Sequence, residues 1–174
     1  MIDPLEDILA NRLSSLPKTL PRLAVEMVPR TCFFSNLRSN LSKKDWEKLR
    51  QWSIQKADSR CEICGSDNYG RSLECHEIWE YAEESHIQYL RGLTALCREC
   101  HRAKHMALAR EMGWEEAAIR HLMRINRWTR AKVDQYLLEA FELFEARSQV
   151  AWQLNISWLT DFDVTIPAKL DRDR

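Results

Sequence analysis

The segment ALCRECHRAKH, residues 95–105, contains two cysteines and two histidines within nine positions. Cys97 and Cys100 form a CxxC pair, and the same spacing occurs earlier in the chain at Cys61 and Cys64. A CxxC turn brings two sulfurs toward one ion, and tetrahedral zinc accepts four thiolate ligands. Two matched CxxC pairs are more typical of a metal site than of a redox pair. The sequence therefore predicts a structural Zn²⁺ site made of four cysteines.

The two histidines of this segment, His101 and His105, are expected to belong to a different site. On a helix Cys97 and Cys100 share one face, whereas His101 and His105 share another, so one ion cannot easily use both pairs. A zinc ion with four sulfur ligands also has no open position for a reactant. The histidines are therefore available for a second metal. His121 has no such neighbours in the sequence and is expected on a helix face or at the surface.

Local signals predict the elements that carry these residues. The sequence SKKD, starting at Ser42, resembles a capping box, which marks the start of a helix. The segment SLECHEIW, residues 72–79, resembles a strand. Residues 98–112 are good helix formers, and Gly113 is a plausible C-terminal cap. We expect a hairpin between the two CxxC pairs, followed by a helix.

The rest of the chain is predicted to be mainly helical. Two further helices are predicted over residues 114–125 and from Thr129 onward, with apolar residues three and four apart. We interpret them as a hairpin that stabilises the fold, with a DNA-binding helix-turn-helix as the alternative. Residues 4–13 predict a short helix in an N-terminal arm, and the tail from Ile156 is expected to add a strand or to cross the surface.

The expected fold class is α+β, mainly α, and the expected organisation is one compact domain with additions. An N-terminal arm covers residues 1–41. A zinc-binding core with its leading helix covers residues 42–112. A helical hairpin extension and the C-terminal tail cover residues 113–174.

Composition limits the compartment and the partners. Lys plus Arg and Asp plus Glu both total 26, so any nucleic-acid binding must use a local basic patch rather than a global positive field. The N-terminus lacks a basic region followed by an apolar signal core, and no run of about 18 apolar residues occurs, so we expect a cytoplasmic protein without a membrane span. In a reducing compartment its six cysteines would not persist as disulfides.

Taken together, CEICG, LECHEIW and LTALCRECHRAKH resemble the HNH endonuclease family, over about residues 58–108. The resemblance implies a zinc-stapled, treble-clef-like ββα-metal core with flanking helices. It implies that His76 is the general base on the first strand of the hairpin. It further implies that His101 and His105 hold a catalytic divalent ion such as Mg²⁺, Mn²⁺, Ni²⁺ or Zn²⁺.

Two positions depart from the family pattern. Cys75 stands where the family usually has an aspartate or histidine ligand, and Gly92 stands in the slot of the middle asparagine. A thiolate ligand would favour zinc or a similar transition metal over magnesium. Strand alternation places Cys75 and Glu77 on the face opposite His76, so either would be a substitute ligand only if the strand twists or ends there.

The expected function is that of a metal-dependent endonuclease that hydrolyses phosphodiester bonds, with DNA as the expected substrate. An imidazole can deprotonate water near neutral pH, and a cation offsets the charge on the leaving oxygen. Arg98, Arg102 and Lys104 are candidates to bind neighbouring phosphates, with an ordinary solvated helix face as the alternative. The alternative function is a catalytically inactive zinc module that binds nucleic acid or a protein partner. A protein partner or a second copy would contact the C-terminal helices.

Overall fold

The computed structural model describes residues 21–168 and residue 170, which form helices and a small sheet. The helices are α1 (Leu37–Asn40), α2 (Lys43–Lys56), α3 (Arg98–Lys104), α4 (Met106–Glu111), α5 (Glu115–Asn126) and α6 (Arg130–Arg147). The strands are β1 (Glu74–Ala82), β2 (Ile87–Leu96) and β3 (Gln153–Asn155). Short 3-10 turns cover Arg30–Ser35, Asn68–Gly70 and Ser157–Asp161. The predicted α+β class is confirmed, whereas the helix predicted over residues 4–13 lies outside the described residues.

The sheet consists of an antiparallel hairpin, β1 and β2, with β3 added in parallel to β2. The hairpin register is interrupted once, because Ile78 pairs with Gly92 but Trp79 pairs with Leu90. Arg91 is therefore the extra residue of a β-bulge in β2. The predicted strand over residues 72–79 corresponds to the first part of β1.

Gly92 lies at this bulge with a φ of +156°, a backbone conformation that L side chains rarely adopt. A Cβ there would lie 3.9 Å from both Ile78 Cδ1 and Trp158 Cε2, which is ordinary contact, so space is not the restriction. The restriction is the backbone, which glycine tolerates because it has no Cβ. The residue that stands in the asparagine slot of the family pattern thus has a structural reason to be glycine.

The chain divides into two compact units, and the division falls inside α3 between Arg98 and Glu99. One unit contains Arg30–Arg98 and Ala151–Arg174, and we call it the sheet unit. The other contains the chain up to Pro29 and Glu99–Val150, and we call it the helical unit. The boundaries expected from the sequence stay a prediction, and the segment after Val150 pairs with β2.

In the sheet unit, α2 packs against β1 and β2. The Ser42 hydroxyl accepts a hydrogen bond from the Asp45 backbone N at 3.0 Å, which confirms the predicted helix start. Leu49 and Ser53 are the buried residues of α2. The second half of β2 is buried on both faces. The apolar core of this unit includes Leu37, Leu49, Leu73, Leu90, Leu93, Leu96, Leu154, Ile156 and Leu159.

In the helical unit, the helix predicted over residues 98–112 is interrupted. His105 has φ −89° and ψ 55° and separates α3 from α4. Gly113 follows α4 with φ +72°, as a left-handed C-terminal glycine does. Helix α5 packs against α4 and α6. The Thr129 side chain caps α6 by accepting from the Lys132 backbone N, and the helix thus starts where it was predicted to start. The apolar core of this unit includes Leu23, Ala103, Met106, Ile119, Leu122, Val133, Leu137 and Phe144.

The C-terminal segment contains a strand, although one that begins before the predicted tail. Gln153–Asn155 forms β3, and the tail from Ile156 continues as the 3-10 turn Ser157–Asp161. None of the helices in the described part of the chain combines the length and apolar character that a bilayer crossing requires.

Replacing Gly92 by alanine is expected to lower the free energy of unfolding by about 1 to 3 kcal/mol, because the bulge holds a backbone conformation that disfavours a Cβ. Urea denaturation followed by circular dichroism measures the loss. Arg91→Ala is the matched control, since its ion pair with Glu80 is exposed and contributes little. Equal stability of the two variants would contradict the backbone argument.

Candidate metal centres

The four predicted zinc ligands lie together. The Sγ atoms of Cys61, Cys64, Cys97 and Cys100 are all within 4.8 Å of one another, and those of Cys64 and Cys97 are 3.6 Å apart. None of the four forms a disulfide. Zn–S bonds of about 2.3 Å in tetrahedral geometry would place two sulfurs about 3.8 Å apart. The cysteine group therefore fits four ligands of one tetrahedral ion such as zinc.

Backbone hydrogen bonds shape the first CxxC turn. The Cys61 N donates to the Ser66 carbonyl and the Gly65 N donates to the Cys61 carbonyl, both at 2.8 Å. The Glu62 carboxylate accepts from the Ala95 N at 2.7 Å and from the Thr94 hydroxyl at 2.8 Å. Glu62 thus ties this turn to the end of β2, just before the second CxxC pair.

The second CxxC pair spans the start of α3. The Arg98 N, at the first residue of α3, donates to the Asn68 side-chain oxygen at 3.2 Å. This bond satisfies one of the backbone donors that a helix start leaves without an intrahelical partner. Asn68 itself lies in the loop after the first CxxC turn and is buried. The loop that contains Asn68 thus helps to hold the start of α3.

The three histidines singled out from the sequence also lie together. His76, His101 and His105 each offer a ring nitrogen, and these atoms are all within 4.8 Å of one another. The Nε2 atoms of His101 and His105 are 3.2 Å apart, with the rings nearly perpendicular at 86°. Two nitrogens bound to one tetrahedral ion at about 2.1 Å would lie about 3.4 Å apart. His101 and His105 therefore fit two ligands of one cation, with a His76 ring nitrogen close by.

Different elements present the three imidazoles. His76 is buried in β1 and pairs with Thr94 of β2, so its position is set by the hairpin register. His101 lies in α3, and His105 occupies the break between α3 and α4. The rings of His101 and His105 are half-buried. Among the described residues, the donors of this group are imidazole nitrogens, which suit zinc, nickel, copper or iron better than magnesium.

The structure does not bring Cys75 or Glu77 into the histidine group. The Glu77 carboxylate accepts hydrogen bonds from the Leu37 N at 2.7 Å and from the Trp79 Nε1 at 3.1 Å. Burial raises the pKa of the Cys75 thiol to about 11, and Ser53 of α2 opposes this shift. Both side chains lie on the α1–α2 side of β1, which is the face opposite His76 that strand alternation predicts. Among the described residues, the donors grouped with His76 are His101 and His105, and neither Cys75 nor Glu77 belongs to that group.

The three predicted phosphate contacts have different surroundings. Arg98 is exposed. Arg102 is half-buried, with its guanidinium carbon 3.9 Å from the centroid of the Trp114 ring. Lys104 is buried, and its ammonium group lies 3.5 Å from a Glu26 carboxylate oxygen. Lys104 is therefore engaged within the helical unit and does not lie on a solvated helix face.

His121 was expected on a helix face or at the surface, but it is buried. Its Nε2 lies 3.1 Å from the Cys100 Sγ, and its Nδ1 lies 3.0 Å from a terminal guanidinium nitrogen of Arg124. The sequence carried one usable signal, because His121 falls on the apolar side of α5 with Ala118 and Leu122. A histidine on such a face requires a polar partner when it is buried.

Replacing Cys97 by serine is expected to reduce bound zinc from about one ion per chain to almost none. The free energy of unfolding should fall by about 3 kcal/mol or more, because the binding free energy of a structural zinc adds to the stability of the fold. Elemental analysis and urea denaturation measure the two effects. Cys75→Ser is the matched control and should retain its zinc. Zinc retained by the Cys97 variant, or lost from the Cys75 variant, would contradict the ligand assignment.

Titration of the zinc-loaded protein with Ni²⁺ or Co²⁺ is expected to reveal a second, weaker site in calorimetry. His101→Ala and His105→Ala should each weaken that site by about tenfold or more, because each removes a nitrogen donor. Glu77→Gln should leave it unchanged, since Glu77 lies on the other face of β1. A second site that survives both histidine substitutions would lie elsewhere.

Comparisons of this chain with protein-family models, with curated proteins and with solved structures find no match. The assignment of the two centres therefore depends on the side chains and distances described above. These support a metal such as zinc at the cysteine group and identify the histidine group as a second cluster of suitable donors.

Proposed function

We propose that this protein is a metal-dependent endonuclease of the HNH type that hydrolyses phosphodiester bonds of nucleic acid, with DNA as the expected substrate. The observation that carries the proposal is the convergence of His76, His101 and His105 within 4.8 Å. Their elements follow one another as a hairpin and then a helix, which agrees with what the family resemblance implies.

In this proposal His76 is the general base, which accepts a proton from the attacking water. An imidazole suits this task because it changes protonation state in the neutral pH range. His76 is 5% exposed, and the hairpin fixes its backbone opposite Thr94. A rigidly held base favours catalysis because little motion has to be frozen when the substrate binds.

His101 and His105 would hold the catalytic divalent cation. When bound, such an ion polarises the scissile phosphate and offsets the charge on the leaving oxygen. The histidine group contains no carboxylate among the described residues. Because Mg²⁺ prefers oxygen ligands, we propose that activity depends on an ion that accepts nitrogen ligands, such as Ni²⁺ or Zn²⁺, with Mn²⁺ weaker.

Substrate binding would use local cations, since the formal net charge of the chain is zero. Arg98 and Arg102 lie in α3, the helix that carries His101. A guanidinium group binds phosphate oxygens in a bidentate manner. Lys104 is not included because its charge is paired with Glu26.

A second candidate function is an inactive zinc module that binds nucleic acid, a protein partner or a second copy of the chain. Three observations favour it. The bulge at Gly92 leaves no asparagine side chain in the slot where the family pattern has one, and Cys75 lies outside the histidine group. Leu138 of α6 is 55% exposed, which offers an apolar contact on the C-terminal helices.

Purified protein is expected to cleave supercoiled plasmid in the presence of Ni²⁺, Mn²⁺ or Zn²⁺. The substitution His76→Ala is expected to lower the cleavage rate by about 100-fold or more, because it removes the general base. Gel electrophoresis with plasmid, single-stranded DNA and RNA measures the rate. His86→Asn is the matched control, since His86 lies at the hairpin turn with φ +53°, which asparagine tolerates.

Two results would contradict the nuclease proposal. One is the absence of cleavage with every ion while a second ion is bound, which would favour the inactive module. The other is cleavage that His76→Ala and His86→Asn affect equally, which would indicate a different active site or a contaminating nuclease.

A further inference from the structure

We propose that His121 is a positioning residue of the four-cysteine centre, which donates a hydrogen bond from its Nε2 to the Cys100 thiolate and thereby slows the loss of the metal. Both side chains belong to the helical unit, and the Nε2 and Sγ atoms are 3.1 Å apart. The proposal concerns the zinc centre and does not depend on nuclease activity.

Arg124 sets the direction of this hydrogen bond. A guanidinium group has five donor hydrogens and no acceptor, so the 3.0 Å contact from Arg124 requires the His121 Nδ1 to act as the acceptor. A neutral imidazole with a bare Nδ1 carries its hydrogen on Nε2. The His121 Nε2 must therefore be the donor and the Cys100 sulfur the acceptor. This direction suits a metal-bound thiolate, which carries no hydrogen of its own.

Burial strengthens the hydrogen bond between His121 and Cys100. Cys100 is 0% exposed and His121 is 7% exposed. Water therefore has little access to the Cys100 sulfur, and a hydrogen bond in such surroundings is stronger than the same bond in water. A donor to a metal-bound thiolate disperses part of its negative charge and fixes its orientation toward the ion. Groups that orient metal ligands in this way typically change metal affinity by about 10- to 100-fold when they are removed.

The sequence spacing explains how α5 supplies both His121 and Arg124. His121 and Arg124 lie three residues apart and so share a side of the helix. Ala118 and Leu122, which are buried, place this part of α5 in the core of the helical unit, while Arg124 reaches the surface. The hydrogen bonds from Arg124 to His121 and from His121 to Cys100 thus connect the surface to a predicted metal ligand.

The test compares His121→Leu with His121→Gln in the full-length, zinc-loaded protein. Leucine fills space but cannot donate, whereas the glutamine amide can donate to the sulfur. The rate of zinc transfer to a chromogenic chelator is expected to rise about tenfold or more in His121→Leu and to return toward the original rate in His121→Gln. In Co²⁺-substituted protein, the sulfur-to-metal charge-transfer band should move to longer wavelength in the leucine variant only, because an unbonded thiolate is easier to oxidise.

Arg124→Ala provides a second variant at an exposed position, in case His121→Leu does not fold. It should accelerate zinc transfer without changing the circular dichroism spectrum, and Arg120→Gln on the same helix is its control. The proposal is overturned if zinc transfer and the charge-transfer band are the same in the His121→Leu, Arg124→Ala and unmodified proteins. It is also overturned if His121→Gln behaves like His121→Leu, because the effect would then come from packing.

Discussion

The convergence of four cysteine sulfurs within 4.8 Å is the constraint on which the arrangement of this protein depends. Thiolates placed this close together repel one another and are costly to bury, so a cation among them turns a repulsive cluster into a crosslink. An ion bound there would join the turn at Cys61 and Cys64 to the start of α3. Because α3 carries His101 and leads directly to His105, such an ion would also fix the start of the helix that presents His101.

Features that depend on residues close in sequence could be predicted. The two CxxC turns and the helical spacing of His101 and His105 are local patterns, and the structure places both sets as clusters. The helix starts at Ser42 and Thr129 were also predictable, because the side chain of an N-cap bonds to a backbone N three residues later. Strand alternation also predicted that His76 lies on one face of β1 and that Cys75 and Glu77 lie on the other.

Features that depend on partners distant in sequence could not be predicted. The charge of Lys104 is paired with Glu26, which is 78 positions earlier in the numbering, and no local pattern indicates that contact. The burial of His121 against Cys100 likewise joins two different helices. The bulge at Arg91 and the helix break at His105 were not predicted either. The nuclease activity itself stays a proposal.

The parallel strand β3 determines when the sheet can be completed during synthesis. Residues Gln153–Asn155 pair with Ile87–Tyr89, although α3 to α6 intervene in the chain. On the ribosome, this edge of β2 emerges long before the strand that covers it. Until then the growing polypeptide exposes unpaired backbone groups, which are a template for adding a strand from another molecule. The hairpin is therefore most vulnerable to misassembly in nascent or C-terminally truncated chains.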